Sequence, residues 1–91
     1  MIAEELRVAG ITADCAPVAD VLAPECHDII GNRAFGTDAE VVSALALSQA
    51  QGLIDGGILP ILKHIPGHGR ATCDSHESLP VVKATLTELE Q

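Results

Sequence analysis

The stretch TDAEVVSALALSQAQGLIDGGILPILK, residues 37–63, decides the fold. Its first part reads as a helix from about Asp38 to Asp55, with Thr37 as N-cap and Glu40 three residues on, the spacing of a capping box. Val42, Leu45, Ala46, Ala50, Leu53 and Ile54 recur at helical spacing and form one apolar stripe, with Gln49 beside it. Gly56 and Gly57 then stop the helix. Ile58 to Lys63 is nearly continuous in apolar character, as a strand covered on both faces is. Pro60 weakens that reading, because proline donates no ladder hydrogen bond. A helix feeding directly into a buried strand is half of a βαβ unit and implies a parallel sheet.

Upstream, residues 1–9 read as the end of a helix, with Ile2, Leu6 and Ala9 on one face. Gly10 suits the left-handed residue that stops it. Ile11 to Cys15 makes a short strand, and residues 18–36 form a long connection with Pro24, Gly31 and Gly36. A connection of that length and mixed polarity points to a functional loop. Downstream, residues 64–78 form a second polar loop. A last helix is expected to begin near Pro80 and to bury Val82, Leu86 and Leu89. Both polar loops follow strands, the position from which loops build the active-site face of a (β/α)8 barrel. The expected fold class is therefore α/β: residues 1–91 as a fragment of a (β/α)8 TIM barrel, about two βα units of a catalytic domain that needs roughly 250 residues. Two strands with open edges make a poor independent fold, so self-association is expected of these residues taken alone.

Composition narrows the partners. Hydrophobic residues make up 47% of the chain and charged residues 20%, which supports a packed core. One Phe and no Trp or Tyr leave that core to Ala, Val, Leu and Ile, the usual filling of parallel α/β proteins. A formal net charge of -8 excludes nucleic acid and anionic membrane surfaces as natural partners. The basic cluster Lys63, His64, His68 and Arg70 is too small to track a phosphate backbone. Three cysteines, an odd number without CxxC spacing, read as reduced thiols and suggest a cytoplasmic protein. Met1 to Arg7 is acidic and unlike a signal peptide, and no apolar run approaches about 18 residues.

The chemistry concentrates between Lys63 and His76. Lys63 and His64 fall where a strand ends and its loop starts, a place from which a fixed cation can meet substrate hydroxyls. Asp74 and His76 stand two apart, so the carboxylate can accept from one imidazole nitrogen and leave the other for proton transfer. Blander readings stand beside these. The Asp74–His76 pair could be an ordinary loop hydrogen bond, Lys63 could simply snorkel, and Arg33 could pair with Asp28 or Asp38. His64, His68, Cys73 and His76 suit zinc by type but match no familiar zinc spacing. Asp20 reads as structural, holding its loop, and His27 as solvated. The glycines at 67 and 69 do not make a P-loop.

Lys63-His64-Ile65-Pro66-Gly67-His68-Gly69, Asp74-Ser75-His76 and Leu79-Pro80 together resemble the signature of bacterial β-N-acetylhexosaminidases of glycoside hydrolase family 3. Ala16-Pro17-Val18-Ala19-Asp20-Val21 and Ile30-Gly31-Asn32-Arg33-Ala34-Phe35-Gly36 resemble earlier segments of the same family, in the same order. The resemblance implies a (β/α)8 barrel that cleaves terminal N-acetylglucosamine (GlcNAc) from muropeptides or anhydro-muropeptides in cytoplasmic peptidoglycan recycling. It implies retention of configuration through an Asp nucleophile, with no cofactor or metal. His76 matches the family's acid/base and Asp74 the residue behind it; Arg33, Lys63 and His64 match sugar-binding positions. The nucleophile belongs to a later strand outside this chain, so the 91 residues alone are expected to be inactive.

Overall fold

The computed structural model describes residues 1–90. The elements in order are α1 (Ile2–Val8), β1 (Ala13–Asp14), a 3₁₀ turn (Gly31–Arg33), α2 (Ala39–Asp55), β2 (Leu59–Pro60) and α3 (Leu86–Leu89). β1 and β2 pair in parallel, Ala13 opposite Leu59 and Asp14 opposite Pro60. The architecture is thus α/β, with α2 in the crossover between two parallel strands.

Pro60 sits inside β2 without loss of a ladder bond. The Leu59 N–H donates to the Thr12 carbonyl (2.9 Å) and the Ile61 N–H to the Asp14 carbonyl (2.8 Å). Alternate amides of a strand face the same neighbour, so the missing N–H of Pro60 is on the side away from β1. Both named strands are shorter than the apolar runs that announce them, but pairing continues beyond them. The Lys63 N–H donates to the Pro17 carbonyl (3.1 Å) and the Ala19 N–H to the Lys63 carbonyl (2.7 Å). The two loops therefore leave the sheet side by side.

The core is small and aliphatic. Ala3 of α1, Leu53 of α2 and Ile58 before β2 form one buried cluster, with Leu6 and Ala16 packed against it. Val42, Ala46 and Leu53 are the buried face of α2; Leu45 and Ile54 of the expected stripe remain exposed. On α1 the buried position is Ala3, with Leu6 partly covered, while Ile2 and Ala9 of the expected face are exposed. Gly10 and Gly57 have φ of 79° and 78°, the left-handed geometry expected where those helices stop.

Two capping expectations are corrected. The N-cap of α2 is Asp38, whose side chain accepts from the Val41 N–H (2.9 Å), so the Thr37–Glu40 box is not formed. A carboxylate accepts as well as a hydroxyl and also complements the positive end of the helix. A capping box does form at α3, between Thr85 and Glu88. That helix is a single turn, not one starting near Pro80, and Leu86 and Leu89 are 70% and 61% exposed. Thr85 nucleates the turn because its hydroxyl and backbone both engage Glu88. The Arg70–Glu88 ion pair at 3.8 Å is exposed and adds little.

Gly56 is where α1 and α2 come closest: a Cβ there would lie 2.3 Å from the Ala3 Cβ. Gly52, inside α2, has open space around it. Gly56→Ala should therefore destabilise the protein by about 1–3 kcal/mol through overpacking. Gly52→Ala should stabilise it by about 0.5–1 kcal/mol through helix propensity. Denaturant midpoints of the two variants check the opposite signs.

Candidate active site

The first loop runs along the second through main-chain hydrogen bonds. Ala23 N–H donates to the Gly69 carbonyl (2.8 Å) and His27 N–H to the Ala71 carbonyl (2.7 Å). Contact at Gly69 is so close that a Cβ there would lie 1.9 Å from the Val21 carbonyl oxygen. Only glycine permits that approach.

Between the loops lies Asp20, whose side chain is 0% exposed. Its Oδ2 is 2.6 Å from His64 Nδ1, and its Oδ1 accepts from the His68 backbone N–H. Asp20 was expected to hold its own loop; instead it bonds the second loop, 44 and 48 residues away in sequence. A carboxylate only accepts, so His64 Nδ1 carries the proton in this pair. The His64 side chain is 37% exposed and lines two adjoining cavities of about 590 and 500 Å³. Asp20, Pro66 and Arg70 share the first; His68, Ser75 and Pro80 share the second. The His68 ring meets the His64 ring edge to face at 6.1 Å, and its two nitrogens are enclosed without a hydrogen-bond partner.

Asp74 and His76 form the pair their spacing suggests. His76 Nδ1 is 2.7 Å from Asp74 Oδ1, and the His76 backbone N–H donates to the same oxygen (2.9 Å). The Asp74 side chain is 14% exposed and that of His76 81%, so the acid is tucked under the loop and the imidazole reaches outward. Those bonds hold the Asp74 carboxyl below its ordinary pKa: the His76 backbone N–H first, then the His76 side-chain hydrogen bond. Desolvation opposes them, and the positive charge available to His76 and His27 adds to them. The arrangement can hold a proton on Nδ1 and exchange one at Nε2.

The other expected residues are placed as follows. Lys63 ends the paired stretch, half-buried, its backbone bonded to Pro17 and Ala19. The Arg33 guanidinium folds back on its own turn, donating to the Ile29 carbonyl (2.8 Å) and the Ile30 carbonyl (3.4 Å). It makes no ion pair with Asp28 or Asp38. Arg33, Lys63, Asp74 and His76 line neither cavity. His27 is not a solvated bystander; it is half-buried, and its Nδ1 accepts from the Ile29 N–H (3.0 Å). Among the described residues no three His, Cys, Asp or Glu side chains gather to hold a metal ion, and no helix is long and apolar enough to cross a membrane.

Residues 1–91 match the family described as the glycosyl hydrolase family 3 N terminal domain. The chain belongs to glycoside hydrolase family 3. It is 53% identical to the beta-hexosaminidase LpqI of Mycobacterium tuberculosis over 72 residues, 79% of this chain and 19% of that protein. It is 45% identical to a beta-hexosaminidase of Chromobacterium violaceum over its full 91 residues, 25% of that protein. The fold superposes on NagZ from Neisseria gonorrhoeae in complex with N-trifluoroacetyl-D-glucosamine with a TM-score of 0.89 at 43% identity, covering 98% of this chain and 26% of that one. The chain thus spans about a fifth to a quarter of the length of these relatives.

The lowered pKa of Asp74 has a pH consequence. A carboxyl depressed in the folded state contributes stability that is present above its unfolded pKa and lost as pH falls through its folded pKa. Carboxyl ¹³C shifts should show Asp74 titrating below the ordinary aspartate value of about 3.9, and His76→Ala, which removes the side-chain bond but keeps the larger backbone N–H contribution, should return it only part of the way. An Asp74 that titrates normally in the wild type would contradict the geometry.

Proposed function

We propose that the full-length protein containing these residues is a retaining β-N-acetylglucosaminidase built on a (β/α)8 barrel, of which residues 1–91 supply about two βα units of the catalytic domain. The Asp74–His76 pair carries the reading: an acid-backed imidazole, 81% exposed, on the loop that begins with Lys63 and His64. His76 protonates the leaving oxygen from Nε2 and then deprotonates the incoming water from the same atom. Asp74 orients the ring and stabilises its charged form. This histidine stands where most retaining glycosidases use a second carboxylic acid. Arg33, Lys63 and His64 bind the sugar, and the nucleophilic Asp lies outside these residues.

Two observations support GlcNAc as the sugar. Relatives at 45–53% identity are beta-hexosaminidases, and a NagZ structure of the same fold holds an N-acylglucosamine analogue. GlcNAc-containing muropeptides or anhydro-muropeptides are the proposed substrates, and the cytoplasm, consistent with the odd set of unpaired cysteines, the proposed location. A second reading applies to residues 1–91 by themselves. A two-stranded sheet with open edges beside exposed Leu59, Ile61 and Leu62 supports at most weak sugar binding or self-association.

His76→Ala in the full-length protein should lower kcat on an aryl N-acetyl-β-glucosaminide by about 10²–10⁴-fold while leaving the inhibition constant of GlcNAc within a few fold. Steady-state kinetics reads both. Unchanged turnover would remove His76 from the mechanism.

A further inference from the structure

Asp20 has no part in the reaction described above, yet it is the most thoroughly buried ionisable side chain among those bonded in the site. Only 2% of the residue is exposed, it sits on the first loop, and both its oxygens are spent on the second. A buried carboxylate is costly unless its acceptors are filled, so this arrangement persists only because His64 Nδ1 and the His68 amide fill them together. The two donors come from one short segment, His64 to His68, bent back so that ring and amide converge on one carboxylate. Gly67 lies in that bend with φ of 136°, and a Cβ there would lie 3.9 Å from Asp20 Oδ1. The bend, the buried acid and the histidine form one unit.

We propose that Asp20 is a positioning residue for substrate binding: it keeps the proton of His64 on Nδ1 and so presents Nε2, in one fixed state and direction, to a sugar hydroxyl. This rests on the reading of His64 as a sugar-binding residue. Asp20 does not touch the sugar itself, because its side chain is wholly covered while His64 remains partly open on both cavities. An imidazole without such a partner would rotate and exchange between tautomers, so that Nε2 would be acceptor in one population and donor in another. A second-layer acid removes that ambiguity, as it does for histidines that ligate metals. The same carboxylate also holds the second loop at the His68 backbone.

The variant that separates this role from plain packing is Asp20→Asn. It keeps size and shape. Its one acceptor oxygen is required by the His68 amide, so its NH₂ faces His64 Nδ1 and donates to it. His64 must then carry its proton on Nε2, and the character of the ligand-facing nitrogen is inverted. The experiment uses the full-length protein labelled with ¹⁵N-histidine, with His64→Gln to assign the ring signals. Long-range ¹H–¹⁵N spectra should show Nδ1 of His64 protonated in the wild type and unprotonated in D20N. In kinetics, D20N should raise KM and the inhibition constant of GlcNAc about 10–100-fold and change kcat much less. It should leave the pH profile of kcat, set by the His76 pair, in place.

An unprotonated Nδ1 in the wild type overturns the proposal, and so does a D20N protein that binds GlcNAc as the wild type does. A parallel loss of kcat and binding, together with a fall in Tm, also overturns it and assigns Asp20 to stability alone. If D20N does not fold, the wild-type spectrum decides. A wild type with the expected tautomer but no affinity for GlcNAc removes the sugar assignment of His64, and with it the proposed function, while leaving the Asp20–His64 state established.

Discussion

The site depends on one buried carboxylate. Asp20 follows the first strand and accepts from two groups of the second loop, so the His64–His68 segment is held to that anchor. Parallel pairing brings the loops to the same end of the sheet, and the main-chain bonds from Ala19 to Lys63, Ala23 to Gly69 and His27 to Ala71 keep them in step. Backbone pairing alone would leave the His64 ring free to turn. The carboxylate supplies the direction that the backbone cannot, and it does so from a position where water cannot compete.

The two acid–imidazole pairs differ in exposure. Asp20–His64 is buried on the acid side and half-open on the imidazole side, which suits holding a ligand in one orientation. Asp74–His76 lies on a local turn with the imidazole 81% exposed, which suits exchange of a proton with a ligand or water. The first pair is long-range and belongs to the fold. The second is closed by neighbours two apart and belongs to the loop. A mutation in the core reaches the first pair more readily than the second.

Much of this was legible in the sequence, and the exceptions have physical causes. The parallel α/β order, the end of α2 at Gly56 and the left-handed Gly10 and Gly57 follow from local rules that tertiary contacts reinforce. The Asp74–His76 contact was legible because an aspartate in a turn accepts from the backbone two residues on, which brings the two side chains together. The Asp20–His64 pair was not, since a separation of 44 residues is bridged only by strand pairing. The N-cap shifted from Thr37 to Asp38 because two adjacent side chains can each accept, and the helix register chose the second. The last helix was overestimated because Val82, Leu86 and Leu89 have helical spacing but are not buried, so only the capped turn at Thr85 forms. Of the two readings of Arg33, the plainer one, a pairing with Asp28 or Asp38, is not formed; its guanidinium bonds the Ile29 and Ile30 carbonyls just ahead of the 3₁₀ turn.

The most direct test of the account is a crystal structure of the full-length protein with GlcNAc bound. The account predicts a sugar hydroxyl within hydrogen-bond distance of His64 Nε2, His76 Nε2 turned toward the anomeric oxygen, and Asp20 still buried beneath His64 without touching the sugar. A sugar seated elsewhere, or one bonded to Asp20 directly with His64 displaced, would contradict it.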